Sequence, residues 1–384
     1  MVAHGERVRI ATVAAQWARI GAAGFGGPPA HVALLRRLCV VERGWITEHE
    51  FEDGIAATNL LPGPASTQLA IFCAWRVRGW LGGLVGGVCF IAPGLVAILG
   101  LSALLLSRHP ARPVLGAAAG AGAAVAAVAA QAGISLIPAS WRRNGTSSAR
   151  RIRWGTYTVG GALAALLLGP WLVVVLLAAG GLESILRAPR TNLDRAGTAG
   201  MLLSTGAGGV AVSLAWTAFK VGALSYGGGF VIIPLMRSDA VDRYHWMSAD
   251  QFLYAIALGQ ITPGPVVQTV AVVGYAAAGV AGGLLAAVVA FTPSFVFVLA
   301  GAPYFDRLRA NAVVQGFLAG AGPAAIGAIL GSAVLLGLSL THLWQIPALI
   351  AAAIWLLVLR RGVVSALIGA SILGIIAALA GLPL

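Results

Sequence analysis

Two short stretches carry residue types able to bind an ion inside an apolar protein. Leu61-Pro62-Gly63-Pro64 runs into Ala65, Ser66, Thr67 and Gln68, and Thr262-Pro263-Gly264-Pro265 runs into Val266, Val267, Gln268 and Thr269. Proline lacks a backbone donor and glycine tolerates positive φ, so each Pro-Gly-Pro breaks a helix. The helix starting behind the break presents unpaired N–H groups and a positive dipole end, which attract anions. Gly63 and Gly264 let a ligand approach the backbone, and Ser66, Thr67, Gln68, Gln268 and Thr269 add neutral hydrogen-bonding groups. Phe25-Gly26-Gly27 and Tyr226-Gly227-Gly228-Gly229 are further breaks, so Gly26, Gly27, Gly228 and Gly229 mark two more helix starts. Four such ends converging would make a site for a small oxyanion. A lone Pro-Gly-Pro is more simply a kink, but two copies flanked by polar residues favour the site.

Charged and polar residues near these breaks come in pairs. Arg19 and Lys220 each stand inside an apolar helix a few residues before a glycine break. A cation at mid-membrane costs about 2.5–3.5 kcal/mol on insertion scales, so two at equivalent places suggest counter-charges for an anion. Snorkelling to the interface is the plainer account. Asn59 and Gln260 precede the two Pro-Gly-Pro elements and could face a ligand or pack. His31 follows the first glycine break as a ligand contact or a polar cap. Asp53 is a candidate proton-coupling carboxylate, with a solvated helix turn as its alternative. Trp45 and Trp246 are read as interfacial anchors.

These pairs share one spacing. Pro62 and Pro263, Gly21 and Gly222, Trp45 and Trp246, and Phe90 and Phe291 all lie 201 positions apart. Matches of tryptophans together with Pro-Gly-Pro elements, without a gap, predict an internal duplication. The expected division is a membrane repeat over 1–186, a linker over 187–203 and a second repeat over 204–384.

The elements that must position these residues are membrane helices. The chain has 384 residues, 59% of them hydrophobic and 10% charged, whereas soluble domains carry about 25% charged residues. The expected fold is an all-α polytopic membrane protein with two homologous, inverted repeats. The stretches on either side of each Pro-Gly-Pro, about 14 residues each, are too short to span and predict a re-entrant hairpin. Thr47-x-x-Glu50 and Ser248-x-x-Gln251 read as capping boxes that open these hairpins. Full spans are expected over 80–106, 113–137, 281–302, 313–340, 345–359 and 363–382, with a basic loop over 141–153. Residues 157–186, interrupted by Gly169-Pro170, form either one long span or a hairpin. In the first repeat the basic loops at 36–43, 76–78 and 142–153 share one side, read as cytoplasmic by the positive-inside rule. In the second repeat the bias reverses, as inverted repeats require.

The net charge of +13 is explained by these loops and not by nucleic acid. Cys39, Cys73 and Cys89 give no disulfide framework and no metal spacing. No nucleophile–base set and no cofactor motif is present, so an enzyme is not expected. The bilayer is the one partner composition implies.

The set Phe25-Gly26-Gly27-Pro28-x-Ala30-His31, Leu61-Pro62-Gly63-Pro64-x-Ser66-Thr67-Gln68, Gly227-Gly228-Gly229 with Pro234, and Gln260-x-x-Pro263-Gly264-Pro265 resembles the chromate ion transporter family in its two-domain form. The resemblance implies efflux of chromate across a bacterial cytoplasmic membrane, credited to the proton motive force, with sulfate as a look-alike anion and room for a homodimer. A permease for sulfate or another oxyanion is the alternative, and a polytopic membrane enzyme or lipid-handling protein is the alternative of another class.

Overall fold

In the computed structural model the described residues are 8–59, 61–107, 109–143, 147–187, 209–225, 230–301 and 304–383. Gly228, Gly229 and linker residues 188–203 lie outside them. Helix α1 (Ile10–Ala23) ends at Gly24, and Gly26 and Gly27 then take φ of +95° and +77°. The prolines at 28 and 29 open α2 (Pro28–Arg36), which continues as a π-helical turn over Arg37–Glu42. Helix α3 (Glu48–Thr58) starts with the expected capping box and leads to the first Pro-Gly-Pro. The second half repeats the pattern. Helix α8 (Val210–Leu224) is followed by α9 (Ile233–Arg237), a π-helical turn over Ser238–Arg243, and the capping box of α10 (Ala249–Ile261).

Helix α4 (Ala65–Leu105) is two arms joined at Gly79, where φ is +68°. Gly82 and Gly86 pack on Ala74, and Gly87 packs on Ile71. Residues 16 apart touch only if the chain turns back, so 65–77 and 80–105 form a tight hairpin. Helix α11 (Thr269–Gly301) turns the same way at Gly279, where φ is +61° and Gly282 packs on Gly274. Each arm before the turn is short; each arm after it is long enough to span.

These turns correct the ungapped spacing. Behind the Pro-Gly-Pro elements the equivalent residues lie 200 apart and not 201: Gly79 with Gly279, Gln68 with Gln268. Gly21 rests on the backbone of Phe90 and Gly222 on that of Ala290, so the counterpart of Phe90 is Ala290, and Phe291 only adjoins it. The lost residue is absorbed where α4 starts directly after Pro64 but α11 is preceded by a 3₁₀ turn over Val266–Gln268. Such a turn uses about 3.0 residues against 3.6.

The long helices are α5 (Arg112–Arg143) and α13 (Ala312–Leu338), built on Ala and Gly. Small residues let backbones close without a hydrophobic drive from lipid. Helices α6 (Ser148–Leu167) and α7 (Leu172–Arg187) turn at Gly169, so 157–186 is a hairpin and not one span. Glu183 of α7 accepts from Arg153 Nε (2.8 Å) and Tyr157 Oη (3.1 Å) of α6, which fixes its open end. This hairpin packs on α13 of the other half, with Gly161 against Ala324 and Gly327 against Thr158. Helices α14 (Gln345–Ala353) and α15 (Val363–Leu379) reciprocate on α5, with Gly120 against Ala370. The two halves are thus interlocked. The basic loop expected over 141–153 is mostly helical, because α5 runs to Arg143 and α6 begins at Ser148. Helix α12 (Phe305–Ala310) is a short connector.

Among the described residues four helices are long and apolar enough to cross a membrane, and many large apolar side chains, such as Val96, Val288, Leu163 and Ile376, face outward. The chain is an all-α, multi-pass membrane protein.

Candidate functional site

Helix α3 and the first arm of α4 run antiparallel. At their base Glu50 bridges to Arg76, and Arg36 meets Glu48 at 2.7 Å. Gly54 packs on Phe72 midway. Pro62-Gly63-Pro64 therefore forms the tip, remote from the charged base. Gly63 and Gly264 have φ of +121° and +98°, a region favouring glycine. Gly63 N–H donates to Ser225 O at 2.6 Å, and Gly264 N–H donates to Gly24 O at 3.1 Å. Each tip is docked on the end of the first helix of the opposite half. No side chain caps the helices that begin at Pro64 and Pro265, so no side chain competes for the N–H groups at their starts.

The spanning arms of α4 and α11 cross beside these tips. Gly83 meets Leu299, Gly87 meets Phe295, and Leu99 meets Gly283. The arms are antiparallel, and the crossing is centred near Ile91 and Phe291. Gln268 Nε2 donates to Ile91 O at 2.8 Å, while Gln68 Nε2 donates to Pro62 O at 2.7 Å. Those two carbonyl partners fix the orientation of both amides, because a carbonyl can only accept.

Around the tips lies a group of buried polar atoms with no protein partner: Gln68 Oε1, Gln268 Oε1, Thr67 Oγ1, Ser225 Oγ, Ser294 Oγ, Gln260 Nε2 and His31 Nδ1. Among the described residues the one other such atom is Arg78 Nε. Ser294 Oγ lies 3.2 Å from where a Cβ on Gly63 would stand. Leaving a buried polar group unpaired costs about 1–3 kcal/mol, so a concentration of such atoms at two helix starts makes this the candidate place for a polar ligand or for water. Three hydroxyls and one amide group can donate; two amide oxygens and the His31 ring nitrogen can accept. That mixture suits an oxyanion accompanied by water or by a proton.

His31 is fully buried. Its Nε2 lies 2.9 Å from Gly24 O, the carbonyl that also takes Gly264 N–H, and its ring meets Phe90 edge-on. Nε2 therefore carries the proton, and Nδ1 is left facing the interior. His31 belongs to the site through Gly24.

The sequence-predicted residues divide. Gly63, Thr67, Gln68, Gly264, Gln268, Gln260 and His31 come together at the tips, with Ser66 buried in the same first turn and Pro62 supplying its carbonyl. Gly26 and Gly27 lie at the surface break before α2. Asn59 is exposed at the end of α3, unlike its counterpart Gln260. Thr269 donates to Val266 O at 2.8 Å and packs on Gly259, so its hydroxyl is used within its own turn. Asp53 pairs with His49 Nδ1 at 3.0 Å on a half-exposed face of α3. Lys220 is bridged to buried Asp239, which also accepts from Thr217 Oγ1 at 2.9 Å, so its charge is already matched. Arg19 is exposed beside a surface cavity. The two cations are not a facing pair.

Ser225, Ser294 and Gly24 were missed. Gly24 and Ser225 are signalled by the 201 spacing and Gly94 and Ser294 by the 200 spacing, which emerges only once the shortened turn at Val266 is known. Gly94 packs on the Pro263 carbonyl and on the Gln268 amide.

The sequence profile of the family described as Chromate transporter matches residues 11–182 and 212–382. The chain is 33% identical over 331 residues to the chromate transport protein of Cupriavidus metallidurans, covering 83% of this chain and 80% of that one. It is 32% identical to the chromate transport protein of Pseudomonas aeruginosa over 82% of this chain and 78% of that one. It is 29% identical to a probable chromate transport protein of Synechococcus elongatus, over 84% of each. No solved structure matches the chain. With two matched regions that together take in most of its length, the chain belongs to the chromate transporter family.

Proposed function

We propose that this protein exports chromate from the cytoplasm, binding it where the two Pro-Gly-Pro tips meet the crossing of α4 and α11. The observation that carries this is the group of orphaned polar atoms around two uncapped helix starts. The names of the relatives supply the choice of chromate; the site itself fits any small tetrahedral oxyanion, so sulfate competes. Coupling to the proton motive force fits the electrical balance. Each negative charge leaving an inside-negative cell gains about 2.3 kcal/mol per 100 mV. The antiparallel crossing of equivalent arms supports inverted repeats, each half supplying one tip and one docking helix end. The division into repeats over 1–186 and 204–384 follows the same logic, with spans of each half braced on the other.

Cells expressing the protein should accumulate less chromate than cells without it, and excess sulfate should raise that accumulation. Unchanged accumulation with the protein present in the membrane would refute export.

A further inference from the structure

The two halves differ beside their first helices. In the first half a cavity of about 190 Å³ opens between α1 and the α2 turn, lined by Gln16, Arg19, Ala23, Arg37 and Glu42. Arg37 Nε donates to Glu42 Oε1 at 2.7 Å, so that pair is neutral and the cavity retains the charge of Arg19. A water in bulk takes about 30 Å³; the space accommodates a tetrahedral oxyanion together with part of its hydration shell. Its lining includes exposed Ala23, the chain neighbour of Gly24, whose carbonyl receives the second tip. In the second half the equivalent cation, Lys220, is turned onto Asp239, with Thr217 completing the contact and Trp216 beneath the ammonium. The residue aligned with Asp239 is Leu38, an apolar wall of the first-half cavity. One side is an open cationic cavity and the other a closed ion pair.

We propose that the Arg19 cavity is a one-sided capture site for a tetrahedral oxyanion, held there on the guanidinium before it passes Gly24 to the tips. This rests on the transport reading above and adds where the anion is first bound. Arg19 presents a planar fork suited to two oxygens of one anion. Gln16, one turn earlier, offers an amide to a third. The same chemistry could be met by the phosphate of a lipid headgroup, and the test separates the two.

Initial rates of chromate transport into inside-out vesicles, measured against chromate concentration, read the site directly. Arg19→Gln should raise the half-saturating concentration about tenfold, the effect of about 1.4 kcal/mol, and leave the maximal rate within about twofold. Glu42→Gln, which releases Arg37, should lower the half-saturating concentration, and Arg19→Lys should fall between wild type and Arg19→Gln. An unchanged half-saturation in Arg19→Gln, or a raised one in Glu42→Gln, would overturn the capture site. So would an Arg19→Gln effect that vanishes in vesicles free of anionic lipid, since it would assign the cavity to a lipid phosphate. Wild-type vesicles that carry no chromate would refute transport instead. Equilibrium dialysis of purified protein with sulfate then decides the cavity alone: less sulfate bound by Arg19→Gln supports it, and equal binding overturns it.

Discussion

The two tips solve the same problem with different partners. Gln68 folds back on Pro62 O within its own hairpin, whereas Gln268 crosses to Ile91 O in the other half. The first tip closes a hairpin clamped at its base by Glu50 and Arg76; at the second, those positions are Gln251 and Ala276. Both tips are therefore docked on the opposite half through a glycine N–H, but only the second is also tied there through its glutamine. A duplicated element can keep its backbone geometry, seen in φ of +121° and +98°, while its support diverges.

The largest effect on transport should come from Gly264→Ala. The glycine φ is in the region where other residues lose about 1–2 kcal/mol, and the added carbon would lie 3.2 Å from the Gln268 amide. Vesicle transport should drop by more than about tenfold while the protein still reaches the membrane, because the strain falls on the tip. Parental rates would show that the tip geometry is not used.

Next is Lys220→Gln. It strands buried Asp239, and breaking a buried pair costs about 3–5 kcal/mol. The yield of folded protein, read by thermal unfolding in detergent, should fall sharply and recover when Asp239→Leu is added to Lys220→Met. Failure of the apolar pair to recover folding would show that the ion pair does more than neutralise a charge. Arg19→Gln should not lower the yield, because Arg19 is exposed.

Gln268→Leu should weaken chromate transport more than Gln68→Leu does, about tenfold against about threefold. The first removes a hydrogen bond between halves and the second one within a turn, each worth about 0.5–1.5 kcal/mol net. Equal losses would remove the distinction between the tips. Smallest of all is Glu50→Gln, since exposed ion pairs contribute about 0–1 kcal/mol; a small drop in thermal stability without change in transport is expected. A large one would make the base of the first hairpin a main support of its tip.

The tips themselves were legible because Pro-Gly-Pro constrains the backbone wherever it stands, and the capping boxes at Thr47 and Ser248 are equally local signals. Three things were not. The slip from 201 to 200 depends on a 3₁₀ turn at Val266 that no residue type announces. The Lys220–Asp239 pair joins two elements that pack only in the folded chain, and alignment with Arg19 concealed it because Leu38 stands where Asp239 does. The interlocking of α6 and α7 with α13 depends on glycines whose partners lie in the other half, among 52 glycines of which the sequence distinguishes few.

The most direct test is a structure of the protein with chromate bound, located by the anomalous scattering of chromium. The expected peak lies between the tips, within hydrogen-bonding reach of Ser294, Gln68 or Gln268 and the first turn behind Pro64 or Pro265. A peak on Lys220, with Asp239 displaced and the tips empty, would contradict the assignment of the substrate to the paired helix breaks.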